Sequence, residues 1–365
     1  MLKYNIPSIS ESYKIPFVSE YKYKLDMGEN LFPLHDSISN MVVSTNKTNI
    51  NVYPVKDTNF DKLIEDIKKY NNIVTEEDVV MLTNGSDNAL RLICLLFCTP
   101  DTKVLIPVPT YPNFETSLKT YNCKEIVNLE IDYKLSNDCI YGIISDELTK
   151  KYDLCYLVNP NMPIGYTLSN NNIETLVVSH PNTMFIIDEA YLEYCELETN
   201  SKLITKYNNI IIVRTFSKFF GIPAVRIGYL IASNKIIKLL DPYYNQKDIT
   251  NVAINCAITS LANINHYKNN NIELQKVILY IHNFFNIILK CENKKIYDYV
   301  LRDGMYFMVI CKNPEDLKTY FDNNKIAVRN KNLDIKGAIR ITIPPYNICE
   351  IVMKLLYEYQ NNIMP

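Results

Sequence analysis

Short runs of aliphatic and β-branched residues recur at 79–82, 103–107, 154–158, 184–187, 209–216 and 227–231. Each has few polar interruptions, the pattern of strands buried on both faces rather than of half-exposed ones. Between them lie segments with helical spacing, clearest at 87–97 and 173–178. Strands alternating with helices in this way predict an α/β fold, a mostly parallel central sheet covered by helices on both faces. Near 245 the texture changes. A long helical pattern runs to about 291, short strands are expected at 305–310, 326–329 and 338–343, and a last helix from about 349. That is a second, smaller α+β unit. Residues 1–35 carry Pro and Tyr without a clean period, so the expected organisation is an extended arm at 1–35, a large domain at 36–245 and a small domain at 246–365.

Composition narrows the classes of function. The chain has 365 residues, 47% of them hydrophobic, enough for a sizeable core. A net charge of −2 offers no basic field for nucleic acid or an anionic membrane, so the expected partners are small molecules or another protein chain. The first ten residues lack the apolar core of a signal peptide, and no apolar run is long enough to span a bilayer, which predicts a cytoplasmic protein. The ten cysteines show no paired metal spacing and read as reduced thiols; the four histidines occupy no metal-binding pattern, so no metal is expected. Only eight glycines remain, which makes each one informative about backbone shape.

In open α/β sheets ligands bind beyond the carboxyl ends of the strands, so the residues following each strand carry the chemistry. After 79–82 comes Thr83-Asn84-Gly85-Ser86-Asp87 and an apolar helix, a turn whose N–H groups suit an anion, although taken alone such a turn more often has Ser86 or Asp87 as an ordinary helix cap. After 103–107, Tyr111 sits in a loop bounded by Pro109 and Pro112, where its ring can stack on a planar ligand. After 184–187, Asp188 follows four apolar residues, and a carboxylate buried there requires a cationic partner. After 209–216, Lys218 is presented at the sheet edge with Ser217 before it and Arg226 eight positions on, a hydroxyl and a fixed charge suited to phosphate. Pyridoxal phosphate needs all of these: a lysine for its aldehyde, a nest for its phosphate, a flat partner for its ring and a carboxylate for its pyridine nitrogen.

These motifs resemble those of the fold type I aminotransferases, and within them most closely the histidinol-phosphate aminotransferase group, over nearly the whole chain. The resemblance implies that Lys218, in Ser217-Lys218-Phe219-Phe220-Gly221, binds the cofactor covalently and moves the substrate proton. It implies that Asp188 holds the pyridine nitrogen, that Tyr191 hydrogen-bonds the 3′-oxygen and that Tyr111 stacks on the ring. Gly85, Ser86, Asp87, Ser217 and Arg226 match phosphate-binding positions, Ser86 and Asp87 acting largely through their backbone. Tyr53 matches a tyrosine that reaches the phosphate in the neighbouring subunit, which implies a homodimer with composite sites. Arg340 matches the arginine that clamps the substrate carboxylate; Arg329 is a second candidate for that role, and Asn30 belongs to a loop over the site.

One position departs from the pattern. In Asn159-Pro160-Asn161-Met162-Pro163-Ile164-Gly165, Met162 stands where the family has an asparagine that donates to the 3′-oxygen, and a thioether cannot donate. Asn161, Asn159, or Tyr191 alone would have to fill that role. The implied reaction is transamination between an amino donor, either an amino acid or a phosphorylated amine, and a 2-oxo acid. A decarboxylase of the threonine-phosphate type, or a catalytically weakened pyridoxal-phosphate-binding protein, are the alternatives.

Overall fold

The structure, a computed structural model, describes residues 21–44, 58–290, 295–330 and 335–361. The arm contributes strand β1 (Tyr23–Lys24), followed by helices α1 (Asp36–Ser44) and α2 (Thr58–Tyr70). The alternating region then runs β2 (Val80–Thr83), α3 (Gly85–Phe97), β3 (Lys103–Val108), α4 (Pro112–Thr120), β4 (Glu125–Glu130), α5 (Asn137–Leu148), β5 (Leu154–Val158), α6 (Asn170–Ser179), β6 (Met184–Asp188), β7 (Ile210–Thr215), β8 (Gly228–Ala232) and α7 (Asn234–Leu240). These strands form one seven-stranded sheet in the order β2-β8-β7-β6-β5-β3-β4. It is parallel except at β8, which runs antiparallel to both β2 and β7. Every residue of β2, β5, β7 and β8 is buried, as expected of strands covered on both faces.

The sequence pattern misses β4 for a physical reason. None of its residues is buried, so no continuous apolar run marks it; it lies at the edge opposite β2 and, among the described residues, pairs with β3 alone. The long helical pattern after 245 resolves into two helices, α8 (Asn251–Ala262) and α9 (Ile264–Ile288). Asn263 interrupts them at φ −111° and ψ 31°, its side-chain amide bonding back to the Thr259 carbonyl at 2.8 Å, the competition with helix geometry that asparagine favours.

The smaller unit contains β9 (Ile296–Val300), β10 (Tyr306–Cys311), α10 (Pro314–Asn323), β11 (Ile326–Ala327), β12 (Ala338–Thr342) and α11 (Tyr346–Gln360). Its sheet has the antiparallel order β12-β10-β9. The strand expected at 326–329 divides: β11 pairs in parallel with β1 of the arm, while Arg329 forms an isolated backbone bridge to Arg340 on β12. The arm is therefore sewn to the small sheet and carried across the carboxyl edge of the large one. Among the described residues no helix is long and apolar enough to cross a membrane.

Candidate active site

The β2–α3 turn builds one wall. The helix begins at Gly85, and its cap, Asn84, makes no side-chain capping bond, so Ser86 and Asp87 lie in the first helical turn and neither is the cap. Gly85 sits at φ +72°, and a Cβ there would come 2.6 Å from Arg226 Nη2, so the guanidinium packs on bare backbone. Asp87 acts through its side chain as well as its position. Its carboxylate accepts from the Tyr111 hydroxyl at 2.7 Å and faces Arg226 Nη2 at 3.5 Å. Asn113 Nδ2 donates to the same phenolic oxygen at 2.7 Å, so the Tyr111 ring is held from two sides. Arg226, left-handed at φ 53°, is followed by β8, and the Ser217 hydroxyl accepts from that of Thr215 at 3.0 Å.

Asp188 ends β6 and is 3% exposed. Its Oδ2 accepts from the Tyr156 hydroxyl at 2.8 Å and its Oδ1 from the Ala190 N–H at 3.1 Å. Burial pushes its carboxyl up to about 6, although both hydrogen bonds favour the charged form. Three residues on, the Tyr191 ring lies under Lys218, whose Nζ is 5.4 Å from the ring centroid. The same Nζ donates to the carbonyls of Met27 at 3.2 Å and Gly28 at 3.0 Å, which places the arm directly over the lysine. Gly28, at φ +63°, permits this approach: a Cβ would lie 3.0 Å from the Tyr191 hydroxyl.

From the small unit, Arg340 reaches in, 7% exposed. Its Nη2 donates to the Asp26 carbonyl at 2.7 Å, its Nη1 contacts Met162 Sδ at 2.8 Å, and its buried Nε has no hydrogen-bond partner among the described residues. All these elements surround one cavity of about 610 Å³, the size of a small-molecule site. Ser86, Asp87, Tyr111, Asp188, Tyr191, Ser217, Lys218, Arg226, Arg329 and Arg340 all line it.

Three expected residues fall elsewhere. The Asn161 amide is spent on backbone, donating to the Pro109 carbonyl at 3.2 Å and accepting from the Ile164 N–H at 3.1 Å, and it is Met162 that lines the cavity. Asn30 donates to the Phe219 carbonyl at 2.9 Å and pins the arm beside the lysine turn, outside the cavity lining. Asn159 is likewise tied to both backbone groups of Leu168. Tyr53 lies outside the described residues. Conversely, Lys24, Glu29 and Asn113 line the cavity without having been singled out in the sequence. The signal for Asn113 was its place in the same proline-bounded loop as Tyr111, and that for Glu29 its place beside Asn30 in the arm segment that resembles a loop over the site; Lys24 sits in the aperiodic part of the arm and gave none.

Residues 21–352 match the model of the family described as aminotransferase class I and II. The chain belongs to that family. It is a pyridoxal-phosphate-dependent aminotransferase. It is similar to the histidinol-phosphate aminotransferase of Caldanaerobacter subterraneus subsp. tengcongensis, 28% identical over 93% of each chain. It is also similar to a dihydroxyacetone phosphate transaminase of Campylobacter jejuni, 33% identical over 67% of this chain and 66% of that one. Among solved structures, the histidinol-phosphate aminotransferase from Clostridium acetobutylicum superposes with a TM-score of 0.81, at 22% identity, over 93% of this chain and 99% of that one. The aminotransferase's own residues suit the cofactor. Neither hydrogen-bond partner of Asp188 carries a positive charge, and the bare backbone at Gly85 with Arg226 beside it forms an anion cradle of the kind a helix N-terminus provides.

Proposed function

We propose that the cavity transfers an amino group from an amino acid or phosphorylated amine to a 2-oxo acid in two half-reactions. The observation that carries this reading is that Lys218, Asp188 and Arg340 open onto one cavity from three different parts of the chain. When bound, pyridoxal phosphate supplies an aldehyde for exchange with amines and a ring that withdraws electrons. Lys218 Nζ is the residue that would bind it covalently and move a proton at the substrate α-carbon. Asp188 would hold the ring nitrogen's proton, Tyr191 would donate to the 3′-oxygen, and Tyr111, held by Asp87 and Asn113, would cover a ring face. Ser86, Ser217, Arg226 and the backbone at Gly85 would hold the phosphate. Arg340, with Arg329 beside it, would pair a substrate carboxylate, the geometry for which a guanidinium fork is suited. The similarity to relatives named for phosphorylated substrates supports a phosphorylated amine or its keto partner as one substrate. A homodimer completing the site, with Tyr53 reaching across, belongs to the same reading.

The test is the visible absorption of the purified protein with pyridoxal phosphate, before and after borohydride. A trapped lysine adduct is expected at Lys218 and absent from Lys218→Ala; the lack of any lysine adduct in the wild type at saturating cofactor overturns the assignment. Amino donors should then release their keto acids stoichiometrically in a single turnover. Carbon dioxide without keto acid would instead identify a decarboxylase.

A further inference from the structure

The parallel register of β5 and β6 sets Val158 opposite Asp188 and Tyr156 opposite Ile186. Side chains two positions apart share a face, so Tyr156 lies on the Asp188 face one step back along the sheet, a diagonal that a long aromatic side chain spans. Its ring is 1% exposed and is stacked on Phe114 of α4, with centroids 4.1 Å apart and planes at 29°. That packing leaves the hydroxyl little choice of direction, and it donates to Asp188 Oδ2 at 2.8 Å. The Ala190 N–H fixes the other oxygen, so the carboxylate plane is set by a rigid strand on one side and its own turn on the other.

We propose that Tyr156 is a positioning residue: its buried phenol holds Asp188 as an aimed, ionised carboxylate ready for the cofactor's ring nitrogen, a role that rests on the reading of the cavity above. The charge environment makes this hydrogen bond matter. Burial favours the neutral carboxyl, and the negative charges of Asp87 on α3 and Glu189 just after β6 push the same way. Lys218, Tyr191 and Tyr111 line the same cavity as Asp188. Burial, and then Asp188 itself, hold the Tyr156 phenol well above its ordinary range, so it remains a donor at every physiological pH. If the Tyr156 hydroxyl had merely found a partner in the core, its removal would leave the pH dependence of cofactor binding where Asp188 alone sets it, and this separates the two roles.

The experiment is a titration of pyridoxal-phosphate affinity from pH 5.5 to 8.5 on wild type, Tyr156→Phe and Asp188→Asn, with thermal unfolding of each. In the wild type, affinity should fall on the acid side as Asp188 protonates. Tyr156→Phe keeps the stacked ring, and its acid limb should move up by about one pH unit, with affinity at neutral pH reduced roughly three- to tenfold. Asp188→Asn should bind weakly with no such limb. Tyr156→His, which can still donate, should recover part of the shift and guards against a packing defect in the Phe variant. A Tyr156→Phe profile that superimposes on the wild type, or that is lowered equally at every pH, overturns the role. A wild type that binds no pyridoxal phosphate overturns the reading of the cavity and this role together.

Discussion

Asp188 and Glu189 are consecutive, both carboxylates, and both buried, yet the protein treats them oppositely. Glu189, fully buried, is enclosed by the Thr199 hydroxyl at 2.7 Å, the Asn200 N–H at 2.7 Å and side-chain amide at 3.0 Å, and Arg214 at 3.4 Å. Arg214 also pairs with Glu193, which accepts from the Tyr70 hydroxyl at 2.8 Å. Burial alone would lower the Arg214 pKa, but Glu193, Tyr229 and Glu189 outweigh it and keep the guanidinium charged. Asp188 on the other face has a phenol and an amide and no cation among its hydrogen-bond partners. A buried charge whose counter-charge is built into the protein belongs to the fold, while one that lacks its counter-charge is waiting for a ligand.

The sharpest way to break the comparison is to remove the built-in counter-charge. Arg214→Met should leave Glu189 and Glu193 without their cation and cost about 3–5 kcal/mol of stability in urea unfolding of the cofactor-free protein. A loss below about 1 kcal/mol would mean that Glu189 is no better neutralised than Asp188.

Asp188→Asn should do the reverse, lowering turnover roughly a hundredfold while leaving the empty protein at least as stable as the wild type at neutral pH. The folded-state carboxyl, raised to about 6, lies above its unfolded value of 3.8, so the folded protein binds the extra proton between them. Asp188 therefore contributes stability that is complete below about pH 4 and is lost as pH rises through about 6. Thermal unfolding of the cofactor-free wild type should show this decline relative to Asp188→Asn, and added cofactor should cancel it. Parallel pH profiles for the two empty proteins would refute the idea that Asp188 is held without its counter-charge.

The asymmetry was half legible. Asp188 stands out because four apolar residues lead into it, and the positions of Lys218, Arg226 and Tyr111 follow from strand ends, which local hydrophobic runs reveal. Tyr156 was hidden inside such a run: nothing in Leu154-Cys155-Tyr156-Leu157-Val158 distinguishes a packed ring from one whose hydroxyl meets Asp188, because the meeting depends on the register with β6. The partners of Glu189 were equally hidden, since Arg214 and Thr199 arrive from separate segments. Edge strand β4 and the split of α8 from α9 escaped because exposure of an edge and one asparagine's side-chain bond leave no clear periodic trace. The family position pointed to Met162 at the cavity, but that the neighbouring Asn161 would turn its amide to backbone instead of substituting for it was beyond the sequence, since it turns on the path of a single proline-rich loop.

Met162 extends the contrast between what the fold satisfies and what it leaves to ligands, with a smaller stake. Its sulfur contacts Arg340 Nη1 at 2.8 Å, and it lines the cavity while the amide of Asn161 is turned to backbone. On the function proposed above, Tyr191 would then be the donor left for the cofactor's 3′-oxygen. Met162→Asn would place an amide at this spot, with one group able to donate to that oxygen and one able to accept from Arg340 better than a thioether does. One ordinary hydrogen bond is worth about 1 kcal/mol, so turnover should rise roughly fivefold, and the pH midpoint of the bound cofactor's visible band should move. An unchanged rate and an unchanged band would mean that the oxygen is already satisfied, and that the methionine costs the site nothing.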